Sequence, residues 1–226
     1  MIDHQNASAT PVAIVTGGSR GIGRAVARKL AMGDYAVVIN YIDNQPAAEA
    51  AVDEILAANG TAVAVRADVA DELDVERLFG ETIDAFGRVD VVVHAAARMI
   101  LGTVEGYDLE TFDALQRVNV RGTFVVNQQA SLHLPDGGAI VNFSSSAVGL
   151  ALPSYAAYAA SKGAVDAITP VLARELRARD ITVNAIALGL ERPGAIAEVA
   201  ELVAFLVSED GRWVNGQVIR GVWRDR

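Results

Sequence analysis

The sequence contains no cysteine, so it can form neither a disulfide framework nor a metal site built from thiolates. It also has no apolar run near the roughly 18 residues needed to cross a membrane. The longest candidate, Val89 to Ala97, is interrupted by Asp90. Residues 1–10 are polar and lack the basic and apolar regions of a secretory signal, so we expect a frayed tail. Together these absences predict a cytoplasmic protein without a membrane or metal partner.

Basic residues are in the minority as well. The chain has 19 Lys and Arg against 28 Asp and Glu, which gives a formal net charge of -9. That balance disfavours nucleic acid as a partner, although a small anionic cofactor needs only local positive potential. With 226 residues, of which 52% are hydrophobic, the chain can bury a sizeable core.

Short β-branched runs alternate with longer helical patterns along the whole chain. This alternation predicts an α/β fold: a doubly wound parallel sheet of the Rossmann type, with three layers, about seven strands and a single dinucleotide-binding domain over 1–226. The predicted strands are Val12–Val15, Tyr35–Tyr41, Ala62–Arg66, Val89–His94, Ala139–Ser144, Ile181–Ala187 and Gln217–Arg220. The predicted helices are Ile22–Met32, Pro46–Ala58, Glu72–Phe86, Leu109 to about Leu132, Ser154–Arg179 and Ile196–Val207.

A glycine-rich turn joins the first predicted strand to the first predicted helix. Gly17, Gly21 and Gly23 have the spacing G-x-x-x-G-x-G. Residues without a Cβ allow a tight turn and the close approach of a pyrophosphate, which the N-terminus of the following helix attracts. An ordinary strand-to-helix loop remains the alternative, because the spacing differs from the general G-x-G-x-x-G fingerprint.

Unusual residues also follow the other predicted strands. Asp68 follows the third, His94–Ala97 end the fourth, Ser144–Ser146 end the fifth, and Leu188-Gly189 follow the sixth. Because ligands of parallel sheets bind beyond the carboxyl ends of the strands, these positions predict one shared site.

Tyr158 and Lys162 lie four residues apart on a predicted helix, and therefore on one face. An ammonium beside a phenol lowers the phenol's pKa and prepares it for proton transfer near neutral pH. Such pairs are common on helices, so a packed or solvated pair stays open on this motif alone. Asn119 lies in a helical pattern with apolar neighbours, and Gly122 nearby indicates a bent or strained turn.

Taken together, these motifs resemble the short-chain dehydrogenase/reductase family, and most closely its 3-oxoacyl-carrier-protein reductases. The resemblance extends from about Val12 to Val218. It rests on residues 16–23, Asp68-Val69, residues 118–122, the Ser144–Ser146 run, residues 158–162 and residues 181–186.

The resemblance implies a hydride transfer between NADP(H) and a small-molecule carbonyl or alcohol substrate. Tyr158 is implied as the general acid/base, Lys162 as the group that lowers its pKa and holds the nicotinamide ribose, Ser145 as a hydrogen-bond donor to the carbonyl, and Asn119 as the residue that orders a relay water. The implied cofactor-binding residues, besides Tyr158 and Lys162, are Gly17, Ser19, Arg20, Gly21, Ile22, Gly23, Asn40, Asp68, Val69 and Ala95.

The end of the second predicted strand bears on the choice of cofactor. An acidic residue there would favour NAD, but the chain has the neutral pair Asn40-Tyr41, with Asp43 further on. Arg20 can pair with a 2′-phosphate, so NADP is favoured over NAD.

Two departures from the family pattern stand out. Where the family has Asn-Asn-Ala-Gly, this chain has His94-Ala95-Ala96-Ala97, and we interpret His94 as a satisfied strand-end histidine. After Gly189 the chain also lacks the roughly 25–35 residues of a mobile substrate loop that acts as a lid. Either the lid is deleted, or the sequence skips a disordered loop between Gly189 and Leu190. We favour the second, which predicts a Cα–Cα gap far above 3.8 Å at that junction.

A deleted lid would instead favour a non-catalytic nucleotide-binding sensor or scaffold on the same fold. By analogy with the family, we expect a homotetramer or homodimer that associates through its long helices.

Overall fold

The computed structural model describes residues 10–189 and 195–221. Seven parallel strands form one sheet in the order β3-β2-β1-β4-β5-β6-β7. The strands are β1 (Val12–Thr16), β2 (Ala36–Tyr41), β3 (Thr61–Arg66), β4 (Val91–His94), β5 (Ala139–Ser145), β6 (Thr182–Leu188) and β7 (Val218–Arg220). The predicted fold class, a three-layer doubly wound parallel sheet, is confirmed.

Eight α-helices connect and cover the strands within the described ranges. They are α1 (Gly21–Ala31), α2 (Gln45–Ala57), α3 (Glu72–Phe86), α4 (Leu109–Gln116), α5 (Gly122–His133), α6 (Ala147–Leu150), α7 (Ala156–Glu175) and α8 (Ala195–Leu206). Local signals fix some of these ends. Asp71 caps α3 by accepting hydrogen bonds from the backbone N–H groups of Leu73 and Asp74, and Gly87 ends α3 in the left-handed conformation.

The sheet is buried on both faces, which explains its nearly continuous apolar strands. On one face α1, α2 and α8 pack through residues such as Leu30, Ile55 and Val203. On the other face α3, α5 and α7 pack through residues such as Phe79 and Val126. Alternate residues of β1 belong to the two cores, as the two-residue period of a strand requires.

The helix predicted from Leu109 to about Leu132 is interrupted in the structure. A π-helical turn, Arg117–Arg121, separates α4 from α5, and the backbone N–H of Gly122 donates to the carbonyl of Arg117, five residues earlier. The prediction of one regular helix was wrong at this turn. The expectation of a bend near Asn119 and Gly122 was right, and such π turns often mark functional sites.

The helix predicted over Ser154–Arg179 is shorter at both ends. Ser154 has a φ of 69°, in the left-handed region, so α7 begins only at Ala156. At the other end the chain tightens into a 3₁₀ turn, Arg177–Arg179, before Asp180 turns left-handed. The short helix α6 follows β5 and was not predicted.

The strand order places a topological switch point between β1 and β4. The chain leaves β1 toward β2 on one side and leaves β3 toward β4 on the other, so the loops beyond β1 and β4 diverge and open a cleft. Residues 1–9 of the predicted tail and Leu190 at the predicted loop junction lie outside the described residues.

Candidate active site

A cleft of about 670 Å³ lies at the switch point, beyond the carboxyl ends of β1, β2, β3 and β4. All ten residues predicted to bind the cofactor from outside α7 line it: Gly17, Ser19, Arg20, Gly21, Ile22, Gly23, Asn40, Asp68, Val69 and Ala95. The sequence reasoning did not single out Ile42, Asn44 or Arg117, which line it as well. The cleft has the size and position expected of a nucleotide site.

Two glycines of the turn are required by close backbone contacts. A Cβ on Gly23 would lie 2.3 Å from the carbonyl oxygen of Gly17, and one on Gly17 would lie 3.0 Å from the backbone of Ala96. Gly17 and Gly21 also have φ values of 63° and 54°, in the left-handed region. The three glycines therefore let β1, α1 and the segment after β4 meet at the floor of the cleft.

The N-terminus of α1 opens directly onto this floor. Arg20, at the N-cap position, makes no side-chain capping hydrogen bond, and no acidic residue lies in the first turn. The free N–H groups and the helix dipole therefore favour an anion such as a diphosphate. Space above Gly21 is open, because a Cβ there would meet no atom within 4 Å.

Asn40 and Asp68 shape the end of the cleft beyond β2 and β3. Asn40 is buried, and its side-chain NH₂ donates to the carbonyl of Ala67, which fixes the ends of these strands to each other. The Asp68 carboxylate accepts from the backbone N–H of Ala70 and lies 3.9 Å from the Arg117 guanidinium.

His94 ends β4 beneath the segment that crosses Gly17. Its Nδ1 lies 2.8 Å from the Thr16 hydroxyl oxygen, which also accepts from the backbone N–H of Ala96 at 3.1 Å. Nε2 is buried and has no hydrogen-bond partner among the described residues. The interpretation of His94 as a satisfied histidine is thus right for one ring nitrogen only. Burial, and then the charge of Lys162, lower the pKa of His94 to about 3, so the ring is neutral at physiological pH.

Asn119, on the π turn, connects the cleft to α7. Its side-chain oxygen accepts from the backbone N–H of Arg98, while its NH₂ donates to the carbonyl of Arg98 and to the Ser161 hydroxyl, at distances of 2.8 to 2.9 Å. Arg98 lines the cleft and Ser161 precedes Lys162. Sequence reasoning missed both, although Ser161 lies within the motif that contains Tyr158 and Lys162.

Gly122 follows this turn and packs against Val69 of the cleft wall. A Cβ on Gly122 would lie 3.1 Å from Cγ2 of Val69, so a small residue lets the π turn approach the cleft.

Ser145 and Tyr158 come together where β5 ends. A hydrogen bond with the Ser145 side chain acts to lower the pKa of Tyr158, but burial is the larger effect and leaves that pKa above its ordinary value of 10.0. Ser144 instead donates to the backbone carbonyl of Lys162 at 3.3 Å. Of these two serines, the structure brings Ser145 to the phenol.

Lys162 is buried, and its ammonium donates to the carbonyl of Phe143 in β5 at 2.8 Å. Burial lowers the pKa of Lys162 to about 8, with the carboxylate of Asp166 acting in the opposite direction. We expected Lys162 to lower the pKa of Tyr158. The structure corrects this: the pKa of the phenol is raised, because burial outweighs the hydrogen bond with Ser145, Tyr155 raises that pKa as well, and the Lys162 ammonium is directed at β5.

The described residues contain no group of three or more His, Asp or Glu side chains arranged to hold a metal ion. Over the same residues, no helix combines the length and apolar character needed to span a bilayer.

The sequence of this chain is similar to a known protein family and to individual proteins. Residues 11–201 match the profile of the short chain dehydrogenase family. An uncharacterized oxidoreductase of Methylorubrum extorquens is 38% identical, over 92% of this chain and 94% of the relative. A versicolorin reductase of Emericella nidulans is 34% identical, over 92% of each chain.

A solved structure shows the same likeness in three dimensions. A short chain dehydrogenase from Burkholderia cenocepacia, crystallised in complex with NADP, superposes with a TM-score of 0.87 at 35% identity, covering 93% of this chain and 96% of that one. The Methylorubrum alignment runs over 234 positions, whereas 92% of 226 residues is about 208. About 26 aligned positions therefore have no counterpart in this chain.

Proposed function

Because the chain belongs to the short-chain dehydrogenase family, we propose that it is an NADP(H)-dependent oxidoreductase that interconverts a carbonyl and an alcohol in a small-molecule substrate. The observation that carries the proposal is the hydrogen bond between the Ser145 and Tyr158 side chains, where Tyr158 lies on a helix that Asn119 connects to the wall of a nucleotide-sized cleft. Ser145, Tyr158, Lys162 and Asn119 do not themselves line that cleft. Asn119 holds the wall of that cleft and the helix of Tyr158 together.

The proposed chemistry divides between the cofactor and the chain. The bound nicotinamide supplies or accepts the hydride. Tyr158 gives a proton to the carbonyl oxygen in reduction and takes it back in oxidation, and Ser145 stabilises the charge that grows on that oxygen. The raised pKa of Tyr158 keeps the phenol protonated, as reduction requires. Lys162 is proposed to hold the nicotinamide ribose.

Asn119 supports this chemistry by holding α7, which carries Tyr158, against the wall of the cleft. Within the described residues, its side-chain NH₂ group donates to Arg98 and Ser161, so it keeps α7 in register with the cleft. The water that the family resemblance implies at Asn119 stays a prediction.

The cleft fits a dinucleotide. Gly17 and Gly23 bring the backbone close, and the uncapped N-terminus of α1 offers its N–H groups to the diphosphate. Asp68 and Val69 line the end proposed for the adenine.

The choice of NADP over NAD rests on the end of β2. Asn40 and Tyr41 are neutral there, and Arg20 lines the cleft as a partner for a 2′-phosphate. The Burkholderia relative was solved with NADP. Asp43 lines the same end and is the feature that would favour NAD. We expect a higher kcat/KM with NADPH than with NADH, and Arg20→Gln to raise the KM for NADPH alone. A preference for NADH in the unaltered protein would refute the choice.

The decisive experiment replaces the proposed proton donor. Tyr158→Phe removes one hydroxyl and should lower kcat by about 10² or more, the usual contribution of a general acid. NADPH binding, followed by its fluorescence, should persist. Tyr155→Phe is the matched control, because this ring lies 6.4 Å from that of Tyr158 on the same segment. Equal turnover in both variants would remove Tyr158 from the chemistry.

The class of substrate is inferred only from sequence similarity to other proteins. The sequence motifs predict a 3-oxoacyl-carrier-protein reductase, but the relatives described above are named an uncharacterized oxidoreductase and a versicolorin reductase. A panel with a 3-oxoacyl thioester, versicolorin and simple aryl and alkyl ketones would separate these classes.

The alternative is a nucleotide-binding sensor or scaffold without turnover. It is favoured by the roughly 26 aligned positions that this chain lacks, a number close to the length of the missing lid. NADPH binding without oxidation by any ketone of the panel would support it. We further propose a cytoplasmic location and a homodimeric or homotetrameric state.

A further inference from the structure

Lys162 is a buried charge with few partners. Its residue is 4% exposed, and the carbonyl of Phe143 is the hydrogen-bond acceptor that the described residues provide for its ammonium. No carboxylate within that part of the chain lies close enough to form a direct ion pair with it. Burial of this kind disfavours the charged form, so something must support the ammonium if it is to stay charged at neutral pH.

Asp166 lies one helical turn further along α7, on the same face as Lys162. Its side chain is 14% exposed, and Oδ2 accepts from the guanidinium of Arg220, in β7, at 2.6 Å. Oδ1 is buried and has no hydrogen-bond partner among the described residues. The carboxylate is therefore fixed by Arg220 through one oxygen, and its other oxygen stays free.

The other charged side chains around α7 do not stabilise the charged form of Lys162. The strands β5 and β6 and the helix α6 carry no charged side chain, and the neutral His94 ends β4. On the π turn, Arg117 and Arg121 pair with Asp68 and Glu72, and in the 3₁₀ turn Arg179 pairs with Asp136. The acidic residues of α4, Glu110 and Asp113, are exposed. Asp166 is the carboxylate whose charge opposes the effect of burial on Lys162.

We propose that Asp166 is a positioning residue whose carboxylate, held by Arg220 of β7, keeps the buried Lys162 ammonium charged. The role deepens the proposed function and rests on it, since the charge of Lys162 affects turnover only if Lys162 holds the nicotinamide ribose as proposed. It also assigns the last described strand a part in the active site that the sequence motifs do not indicate.

A stability measurement tests the charge coupling without any substrate. The pKa of Lys162 is about 8 in the folded chain and 10.5 ordinarily, so between these pH values the unfolded chain binds more protons and stability rises with pH. Without the Asp166 charge, the pKa of Lys162 in the folded chain should be lower. In Asp166→Asn, the rise in stability should therefore begin about one pH unit lower. Melting temperatures from pH 6 to 10 would show it. With Lys162→Met as the background, Asp166→Asn should leave the shape of the curve unchanged.

Turnover gives the second readout. In Asp166→Asn, the alkaline fall in kcat for NADPH-dependent ketone reduction should occur about one pH unit lower than in the unaltered protein. The value of kcat at pH 6 should change little. Arg220→Gln removes the ion pair but keeps the carboxylate. In this variant, the pH at which kcat falls on the alkaline side should therefore equal or exceed that of the unaltered protein. Asp136→Asn, which removes an exposed carboxylate paired with Arg179, is the control for lost charge.

The outcomes separate the two proposals. If no ketone is turned over by the unaltered protein, the proposed function fails, and the melting curves still decide the coupling between Asp166 and Lys162. Melting curves of Asp166→Asn that run parallel to those of the unaltered protein would overturn the proposal. The proposal would also be overturned if Arg220→Gln lowered the pH of the alkaline fall in kcat as much as Asp166→Asn does. In that case the ion pair, and not the charge of the carboxylate, would control turnover.

Discussion

Burial, more than chemical type, sets the protonation of the polar side chains near the cleft. It raises the pKa of Tyr158 and lowers those of Lys162 and His94, in each case toward the neutral form. Single neighbours act against it: Ser145 at the phenol and Asp166 at the ammonium. The hydrogen bond between Ser145 and Tyr158 joins β5 to α7 and forms only in the folded chain, whereas Asp166 acts on Lys162 through its charge, from one helical turn away.

His94 yields a prediction at this scale. Its pKa of about 3 in the folded chain lies below the ordinary 6.5, so between these values the unfolded chain binds more protons. Stability should therefore fall as the pH drops below 6.5, by a few kcal/mol near pH 4. His94→Asn, which cannot titrate, should flatten this part of a plot of unfolding free energy against pH.

His133 supplies the control for that measurement. It is exposed on α5, and its Nε2 lies 3.1 Å from Gln129. His133→Asn should leave the acid slope as it is in the unaltered protein. Identical slopes in His94→Asn and the unaltered protein would show that the buried ring does not couple folding to protons.

At the scale of elements, the site depends on segments that approach one another closely. The glycine turn lies under the segment after β4, and a Cβ on Gly122, the first residue of α5, would lie 3.1 Å from Cγ2 of Val69. Asn119 of the π turn holds Arg98. A π turn adds one residue to the helix and rotates the residues after it, which is how Asn119 faces inward between two regular helices.

Gly23→Ala tests this packing. A Cβ 2.3 Å from the Gly17 carbonyl oxygen has no flexible neighbour to displace, so the turn must move. We expect NADPH affinity to fall by at least tenfold and the melting temperature to drop. Gly80→Ala in α3 is the matched control: its Cβ meets no atom within 4 Å, and the change should stabilise the helix by about 0.5–1 kcal/mol. Unchanged NADPH affinity in Gly23→Ala would contradict the proposed contact with the diphosphate.

At the scale of the whole molecule, the sheet is covered on both faces, but several helices keep large apolar side chains exposed. Leu109, Phe124 and Val171, on α4, α5 and α7, are 56% to 74% exposed. Large apolar side chains on neighbouring helices are the kind of surface that subunit contacts cover. The homodimer or homotetramer stays a prediction, and these side chains are where we expect its subunit contacts.

Phe124→Glu should therefore lower the molecular mass measured by light scattering to that of the 23.7 kDa chain or of a smaller assembly. Met32→Glu, on a residue that is 67% exposed at the end of α1, is the control and should leave the mass unchanged. A monomer before any substitution would refute the predicted assembly.

The sequence by itself determined the alternation of strands and helices, the glycine turn and the motif of Tyr158 and Lys162, because each depends on residues close together in the chain. Hydrophobic period, helix caps and glycine spacing act over one or two turns, and this was enough to predict the sheet and the glycine turn. The other predicted residues that line the cleft came from the family resemblance. Only the tertiary structure decided the π turn at Asn119, the orphan nitrogen of His94, the raised pKa of Tyr158 and the ion pair of Asp166 with Arg220. Burial and the electric field at a buried group depend on segments far apart in the chain, and no local pattern records which of them will meet.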